Sequence, residues 1–262
     1  MTDLWPAREP WLLLVGEPGS GKSILTRWLT AQLARDGDRI PVRIELRRYA
    51  AWASERPPEQ RGLLRFVSET HREGGVPLAC ELPWLALAGR VVWLIDGLNE
   101  VSDPVLRSDC AGRITALRRQ GGHALVTSRP RGMTRELALL QDAGLALREL
   151  CPLDDPQIHQ LHTRWHDAGL LDDRSRARVC ARIPELRELM RSPLVATLIL
   201  VLARHGEIPR TRQHLLAEIL ALVVDRWPRH RGLLLDAPPA ANSCATSPGR
   251  CSPRASTATT TS

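Results

Sequence analysis

The feature that most constrains the fold is an eight-residue segment, residues 16–23, which reads Gly-Glu-Pro-Gly-Ser-Gly-Lys-Ser. It fits the phosphate-binding pattern G-x-x-x-x-G-K-[ST] at every fixed position. The apolar residues 11–15 before it predict a buried strand, and residues 24–35 after it predict a helix. Glycines let backbone N–H groups curve around phosphate oxygens, and the helix N-terminus adds partial positive charge. Glycine-rich turns also join strands to helices without a ligand, but the Lys-Ser ending and both flanks favour a nucleotide site.

This segment assigns a chemical role to its polar side chains. Lys22, the only lysine in the sequence, would reach the β- and γ-phosphates, and the hydroxyl of Ser23 would hold Mg²⁺. The predicted nucleotide-contacting residues are Gly16, Glu17, Pro18, Gly19, Ser20, Gly21, Lys22, Ser23 and Ile24. The spacing of apolar residues in the following helix predicts a stripe that faces the core. Its members are Ile24, Leu25, Trp28, Leu29 and Leu33, and Gly37 is expected just beyond the helix C-terminus.

A second informative segment ends in acidic side chains. Residues 91–95 are apolar without alternation, which predicts a buried parallel strand, and Asp96 follows directly. Ligand-binding groups lie at the carboxyl ends of strands in open α/β sheets, so Asp96 is the candidate to hold Mg²⁺ beside Ser23. Glu100 is the candidate to orient or deprotonate an attacking water. The alternative is that Asp96 and Glu100 only cap a turn, as Asp-Gly pairs often do.

A polar segment ends another predicted strand, residues 123–127. Arg129 follows it, and a guanidinium at this position can contact the γ-phosphate through forked hydrogen bonds. The alternative is an ordinary strand exit with a solvated arginine. Further strands are predicted at 40–46 and 146–150, and the segments between the strands are largely helical. This alternation predicts an α/β protein with a parallel sheet covered on both faces.

After residue 150 the sequence predicts helices only. They are expected to begin at Asp155-Pro156, to cover 174–182, to restart after Pro184, and to cover 193–204 and 211–227. The last helix is expected to bury Leu215, Leu216, Ile219, Leu220, Leu222 and Val223. His159, His162 and His166 recur at helical spacing, which we interpret as a solvated face rather than a metal site because no fourth ligand is evident.

The composition indicates which partners and which cellular location to expect. The net charge is +7, but the basic residues are arginines scattered near acids, so we do not expect nucleic acid to be a partner. Six cysteines without C-x-x-C spacing, and no signal peptide, indicate reduced thiols and a cytoplasmic location. The most apolar run, residues 194–203, is too short to span a bilayer, so no membrane association is expected.

Taken together, these motifs resemble the NACHT family of STAND-class P-loop NTPases. The resemblance covers roughly residues 10–231, and its most specific parts are Asp-Gly-Leu-Asn-Glu at 96–100 and Thr-Ser-Arg-Pro at 127–130. It implies a three-layer α/β/α P-loop NTPase fold with a mostly parallel five-stranded sheet, in the order 5-1-4-3-2, followed by an all-helical subdomain. The domains expected are a short segment 1–10, an NTPase core 11–150, a helical subdomain 151–231 and a disordered Ala/Pro/Ser/Thr-rich tail 232–262.

The resemblance also implies roles for single residues. Lys22 and Ser23 contact phosphate and Mg²⁺, and Asp96 supports the metal. Glu100 assists hydrolysis, Arg129 acts as the first sensor of the γ-phosphate, and Pro193 approaches the nucleotide base. Members of the family exchange ATP for ADP to switch between a closed monomer and an open oligomer, and bacterial relatives are often linked to defence systems. Self-association through the NTPase module and an unidentified signal ligand are therefore expected.

Two departures from the family pattern leave an alternative open. Asn99 stands where the family often has a second Asp, which implies slow or altered hydrolysis. The family's effector domain, winged-helix region and sensor repeats are not evident, so we expect a truncated or frame-shifted C-terminal end. The leading hypothesis is a slow ATP-hydrolysing switch, and the alternative is a degenerate nucleotide-binding interaction module without turnover. A GTPase lacks support because Asn-Lys-x-Asp is absent, a transporter ATPase because Leu-Ser-Gly-Gly is absent, and a small-molecule kinase is less favoured.

Overall fold

The computed structural model describes residues 11–70, 78–132, 134–206 and 208–226, without the side chains of 78–80, 225 and 226. The predicted N-terminal segment 1–10 and the predicted tail 232–262 lie outside the described residues. The chain divides into two units, Met1–Ile208 and Pro209–Ser262. The first unit contains the sheet and the phosphate-binding segment.

Five parallel strands form one sheet in the order β2-β3-β4-β1-β5. The strands are β1 Trp11–Val15, β2 Ile40–Glu45, β3 Val91–Asp96, β4 His123–Ser128 and β5 Ala146–Glu149. Each strand lies where the sequence predicted one, and the order 5-1-4-3-2 implied by the resemblance is confirmed. Because parallel strands share one carboxyl edge, the segments that follow β1, β3 and β4 meet at the same side of the sheet.

Nine described helices belong to the first unit and one to the second. Those of the first unit are α1 Lys22–Asp36, α2 Leu46–Ser54, α3 Leu63–Thr70, α4 Leu78–Leu87, α5 Pro104–Arg118, α6 Thr134–Asp142, α7 Asp155–Asp167, α8 Asp173–Met190 and α9 Pro193–His205. In the second unit, α10 spans Arg212–Ala221 and a π-helical turn covers Leu222–Arg226.

Alternate residues of the strands face two different apolar layers, as the two-residue period of a strand requires. On one face, Val91, Trp93 and Ile95 of β3 pack in a large core with residues of α2 to α6. On the other, Val92 and Leu94 pack with Leu29 of α1. The sheet is therefore covered on both sides, and the three-layer α/β/α fold is confirmed.

Helix α1 buries a narrower stripe than the sequence predicts. Leu29 is buried, with Leu25 and Leu33 packed beside it at four-residue spacing. Ile24 is instead 72% exposed and Trp28 43% exposed, because they lie on the flank of the stripe that turns away from the sheet. Gly37 ends the helix as expected, with a φ of 72° and an N–H that donates to the Leu33 carbonyl.

Two helix boundaries differ from the expectation. The N-cap of α7 is Asp154, one residue earlier than predicted, because Asp154 and Gln157 form a reciprocal capping box. Residues 174–182 and the segment after Pro184 form one helix, α8, rather than two. Proline removes a backbone hydrogen bond from a helix, yet buried apolar residues on both sides, Val179 before it and Leu186 after it, keep α8 continuous.

The last helix buries less than predicted. In the second unit, Leu215 and Leu222 are buried, whereas Leu216, Leu220 and Val223 are 44–64% exposed. At about 100° per residue the six predicted core positions cover an arc of roughly 160°. The buried pair occupies one edge of that arc, so counting apolar residues overestimated the buried face.

Candidate nucleotide-binding site

The phosphate-binding segment connects β1 to α1 at the carboxyl edge of the sheet. The N–H of Gly16 donates to the carbonyl of Ser128 at the end of β4, at 3.3 Å, which joins the start of the loop to the neighbouring strand. Gly19 and Gly21 have φ values of 77° and 95°, a region that favours glycine. The glycines therefore give the loop a path that other residues would adopt only under strain.

The N-terminus of α1 has the properties of an anion site. Gly21 is its N-cap, and no described side chain caps the free N–H groups of the first turn. That turn contains no acidic residue, so the partial positive charge of the helix end is not neutralised locally. A Cβ built on Gly21 meets nothing within 4 Å, which leaves open space beside these N–H groups. This arrangement fits a phosphate group.

Lys22 lies against the loop that it follows. Its Nζ donates to the carbonyls of Gly16 at 2.7 Å and Glu17 at 2.9 Å, and to Ser20 Oγ at 3.2 Å. Burial lowers the pKa of Lys22, and the positive charge of Arg129 lowers it further. Asp96, Glu17 and Glu100 raise the same pKa. The charged groups behind these effects come from three separate loops, which follow β1, β3 and β4 at the same edge of the sheet.

Ser23 and Asp96 meet as the sequence predicted. Ser23 Oγ donates to Asp96 Oδ1 at 3.2 Å, across 73 residues of sequence. The Asp96 side chain is only 8% exposed. Hydroxyl and carboxylate oxygens are the ligand types that Mg²⁺ prefers, so this pair fits a magnesium ion bound together with nucleotide phosphates.

Thr127 has a role that sequence reasoning did not assign. It ends the strand predicted before Arg129, and the structure buries it completely. Its Oγ1 donates to Asp96 Oδ1 at 2.7 Å and accepts from the N–H of Gly97 at 2.9 Å. Thr127 therefore fixes the orientation of the Asp96 carboxylate. The adjacent β3 and β4 strands place it there, a relation that appears only once the strand order is known.

Arg43 and Glu45 of β2 are two further charged residues that sequence reasoning missed. Arg43 Nη2 lies 3.3 Å from Asp96 Oδ2, and its Nη1 lies 2.5 Å from Glu45 Oε1. A strand was predicted at 40–46, and the two charges lie on the less buried face of β2. Pairing of Glu45 with Asp96 in the β2–β3 register brings them to the site.

A short 3-10 turn, Leu98–Glu100, follows β3 and carries the predicted hydrolytic residue. Gly97 begins this turn at a φ of 84°, and a Cβ there would lie 2.9 Å from Cδ of Glu100. Asn99 Oδ1 accepts from the backbone N–H of Arg129 at 3.0 Å, which joins this turn to the loop after β4. Glu100 and Arg129 are both exposed at this edge of the sheet.

The start of α9 lies against the phosphate-binding loop. The N–H of Leu194 donates to the carbonyl of Gly19 at 3.1 Å, and a Cβ on Gly19 would lie 3.0 Å from Cβ of Leu194. Pro193 is the first residue of this helix and is partly buried. The structure thus brings Pro193 beside the loop, together with Lys22, Ser23 and Asp96.

Of the three α7 histidines that were predicted to form a solvated face, His159 is exposed and His166 partly exposed, whereas His162 contradicts the prediction. His162 is fully buried, and its Nε2 lies 3.1 Å from Nδ1 of His159. His166 contacts Asp173 at 2.9 Å. Among the described residues, no group of three or more His, Cys, Asp or Glu side chains is arranged to hold a metal ion.

None of the helices in the described part of the chain has both the length and the apolar character needed to cross a membrane. Cys110, Cys151 and Cys180 are free thiols, and burial raises the pKa of Cys110 to about 12. A thiol with so high a pKa is a poor nucleophile, so Cys110 belongs to the core and not to a reactive site.

Comparison with known proteins gives one family and a distant structural likeness. A search of curated protein sequences gave no match. Among solved structures, the chain is similar to the Aeropyrum pernix ORC1 protein in complex with DNA, at 18% sequence identity and a TM-score of 0.45. That likeness covers 81% of this chain and 59% of the ORC1 chain. The family model described as NACHT domain matches residues 11–169, the span that holds the sheet, the phosphate-binding loop and Asp96. The chain belongs to the NACHT family.

Proposed function

We propose that this protein is an ATP-dependent switch that binds ATP with Mg²⁺ and hydrolyses it slowly to ADP. The observation that carries the proposal is the contact of Ser23 Oγ with Asp96 Oδ1, which joins the phosphate-binding loop to the end of β3. A glycine-rich loop alone would support phosphate binding only. A hydroxyl and a carboxylate held together beside it supply the oxygen ligands of a nucleotide-bound metal.

Each polar residue has a part in this activity. The uncapped N–H groups of α1 bind phosphate oxygens, and Lys22 leaves its loop carbonyls to pair with the β- and γ-phosphates. Glu100 orients a water molecule and accepts its proton as the water oxygen attacks the γ-phosphorus. The bond to the bridging oxygen breaks and ADP leaves, while Arg129 neutralises charge on the γ-phosphate. Bound Mg²⁺ would supply further neutralisation of the β- and γ-phosphates.

The helical part of the first unit would report which nucleotide is bound. Pro193 contacts the base in this proposal, and Leu194 is bonded to the carbonyl of Gly19 in the phosphate-binding loop. A loop that changes conformation between ATP and ADP therefore acts directly on the start of α9. Self-association through the NTPase module, in response to an unidentified signal, is the output that we propose.

The bound nucleotide provides the first test of this function. The full chain is purified and denatured, and any released nucleotide is identified by chromatography, with Lys22→Ala prepared in parallel. We expect ADP or ATP from the parent protein and none from Lys22→Ala, because the variant loses the ammonium that pairs with the phosphates. Arg119→Ala is the matched control for loss of one positive charge, because Arg119 is exposed and precedes β4, at the opposite edge of the sheet. Equal affinity of the parent and Lys22→Ala for added ATP and ADP would contradict the site assignment.

A second candidate function is nucleotide binding without turnover. It is favoured by Asn99, which carries no negative charge and is engaged with the Arg129 backbone. Glu100→Gln separates the two candidates, because it removes the proton acceptor while keeping the size of the side chain. The switch requires slow phosphate release by the parent protein and at least about tenfold less by Glu100→Gln. A binding module would release no phosphate in either form and retain nucleotide in both.

A further inference from the structure

The second strand places a positive charge directly on the candidate metal carboxylate. Arg43 and Glu45 are two residues apart on β2 and so project from the same face. The parallel register pairs Glu45 with Asp96 and Arg43 with Leu94, which puts all three charged side chains on the face that α1 covers. The guanidinium of Arg43 lies between the two carboxylates, at 2.5 Å from Glu45 and 3.3 Å from Asp96.

The two oxygens of Asp96 have different partners. Oδ1 accepts from Ser23 and Thr127, and Oδ2 pairs with Arg43. The side chains of Arg43 and Asp96 are 19% and 8% exposed, so little water screens the charge between them. Glu45 is 33% exposed and neutralises part of the Arg43 charge. Both oxygens of the Asp96 carboxylate, the candidate metal ligand, are therefore already paired in this arrangement.

We propose that Arg43 sets the magnesium concentration at which the nucleotide site fills. This inference rests on the proposed function. A guanidinium beside Oδ2 neutralises part of the negative charge that attracts Mg²⁺, and it also repels the divalent ion directly. Binding of magnesium with nucleotide weakens the contact between Arg43 and Asp96, and Glu45 retains the displaced guanidinium. Arg43 thus makes metal binding weaker than Ser23 and Asp96 alone would make it, and Glu45 limits this effect by neutralising part of the Arg43 charge.

The test is a magnesium titration of nucleotide binding by the full chain. A fluorescent ATP analogue is the probe, and the magnesium midpoint is compared for the parent, Arg43→Gln and Glu45→Gln. Because removal of one nearby charge acts on a divalent ion, we expect Arg43→Gln to lower the midpoint by at least about fivefold. Glu45→Gln should raise the magnesium midpoint, and the rise should be smaller when Arg43→Gln is also present. Affinity for the analogue in EDTA should not increase in Arg43→Gln, since no metal then competes with Arg43 and its charge can only attract the phosphates.

The outcomes separate this inference from the function beneath it. An unchanged or higher magnesium midpoint in Arg43→Gln, with nucleotide still bound, would overturn the inference alone and make Arg43 an orienting group for Asp96. Equal loss of nucleotide affinity by Arg43→Gln with and without magnesium would also overturn the inference alone. No nucleotide binding by the parent protein would overturn both proposals. Thermal unfolding verifies the fold of each variant, and Arg43→Met, which retains the aliphatic stem, replaces Arg43→Gln if the latter does not fold.

Discussion

Thr127 shows how one buried hydroxyl can determine the geometry of a site. It donates to Asp96 and accepts from Gly97, so Thr127→Val removes two hydrogen bonds with almost no change in shape. We expect a loss of about 1–3 kcal/mol in the free energy of unfolding, because a buried carboxylate oxygen and a buried N–H each lose a partner. We also expect weaker magnesium-dependent nucleotide binding.

The control for this prediction is Thr115→Val in α5. The Thr115 hydroxyl bonds only within its own helix, to the Ala111 carbonyl, which already has a helical partner. Urea unfolding and a nucleotide titration are measured for both variants. Equal effects of the two substitutions would show that Thr127 has no special part in holding Asp96.

At the scale of elements, the start of α9 packs directly against Gly19 of the phosphate-binding loop. Gly19→Ala places a Cβ at 3.0 Å from Leu194 and at a positive φ of 77°. The matched control is Gly169→Ala, where φ is 68° and nothing lies within 4 Å. Both variants carry the cost of a left-handed residue, about 1 kcal/mol, whereas Gly19→Ala must also displace α9.

We therefore expect Gly19→Ala to reduce nucleotide affinity at least about tenfold and to unfold at lower urea than Gly169→Ala. Isothermal titration with ADP and urea unfolding measure the two effects. Addition of Leu194→Ala to Gly19→Ala should restore part of the stability, because Leu194 Cδ2, at 3.3 Å, is removed. The contact has no influence on the site if Gly19→Ala and Gly169→Ala bind ADP equally.

The elements themselves were largely readable from local sequence, and the contacts between them were not. The strand before Asp96 and the loop before Lys22 follow from short apolar runs and a contiguous motif, so both were predicted correctly. Arg43 was missed because its meeting with Asp96 depends on the pairing of two strands separated by 45 residues of other structure. Helix α8 was divided at Pro184 because sequence alone does not reveal the packing that compensates for a proline.

At the scale of the whole molecule, stability should decrease in mild acid. Burial lowers the pKa of His162, with smaller effects from His159 and Arg176, and burial beside Arg39 lowers the pKa of His123. The unfolded chain then binds protons at a higher pH than the folded protein does. The free energy of unfolding therefore has its full value at pH values above the ordinary histidine pKa of about 6.5. It decreases as the pH drops below that value.

The measurement is urea unfolding between pH 8 and pH 5, compared with His162→Gln. This variant cannot titrate, so we expect a shallower loss of stability with falling pH, with the remainder due to His123 and other groups. Exposed His214→Gln is the control for loss of one imidazole. Identical slopes for the parent protein and His162→Gln would contradict a role for His162.

The strand order has a consequence for how the protein is made. Strand β1 carries the nucleotide loop at its end, yet its sheet partners are β4 and β5, which lie more than a hundred residues later in the chain. During synthesis the motif emerges well before its sheet partners do, because β1 has no neighbouring strand until residues 123–149 exist. A phosphate-binding loop seated beside both neighbouring strands is therefore available to ATP only after residues 123–149 have been translated.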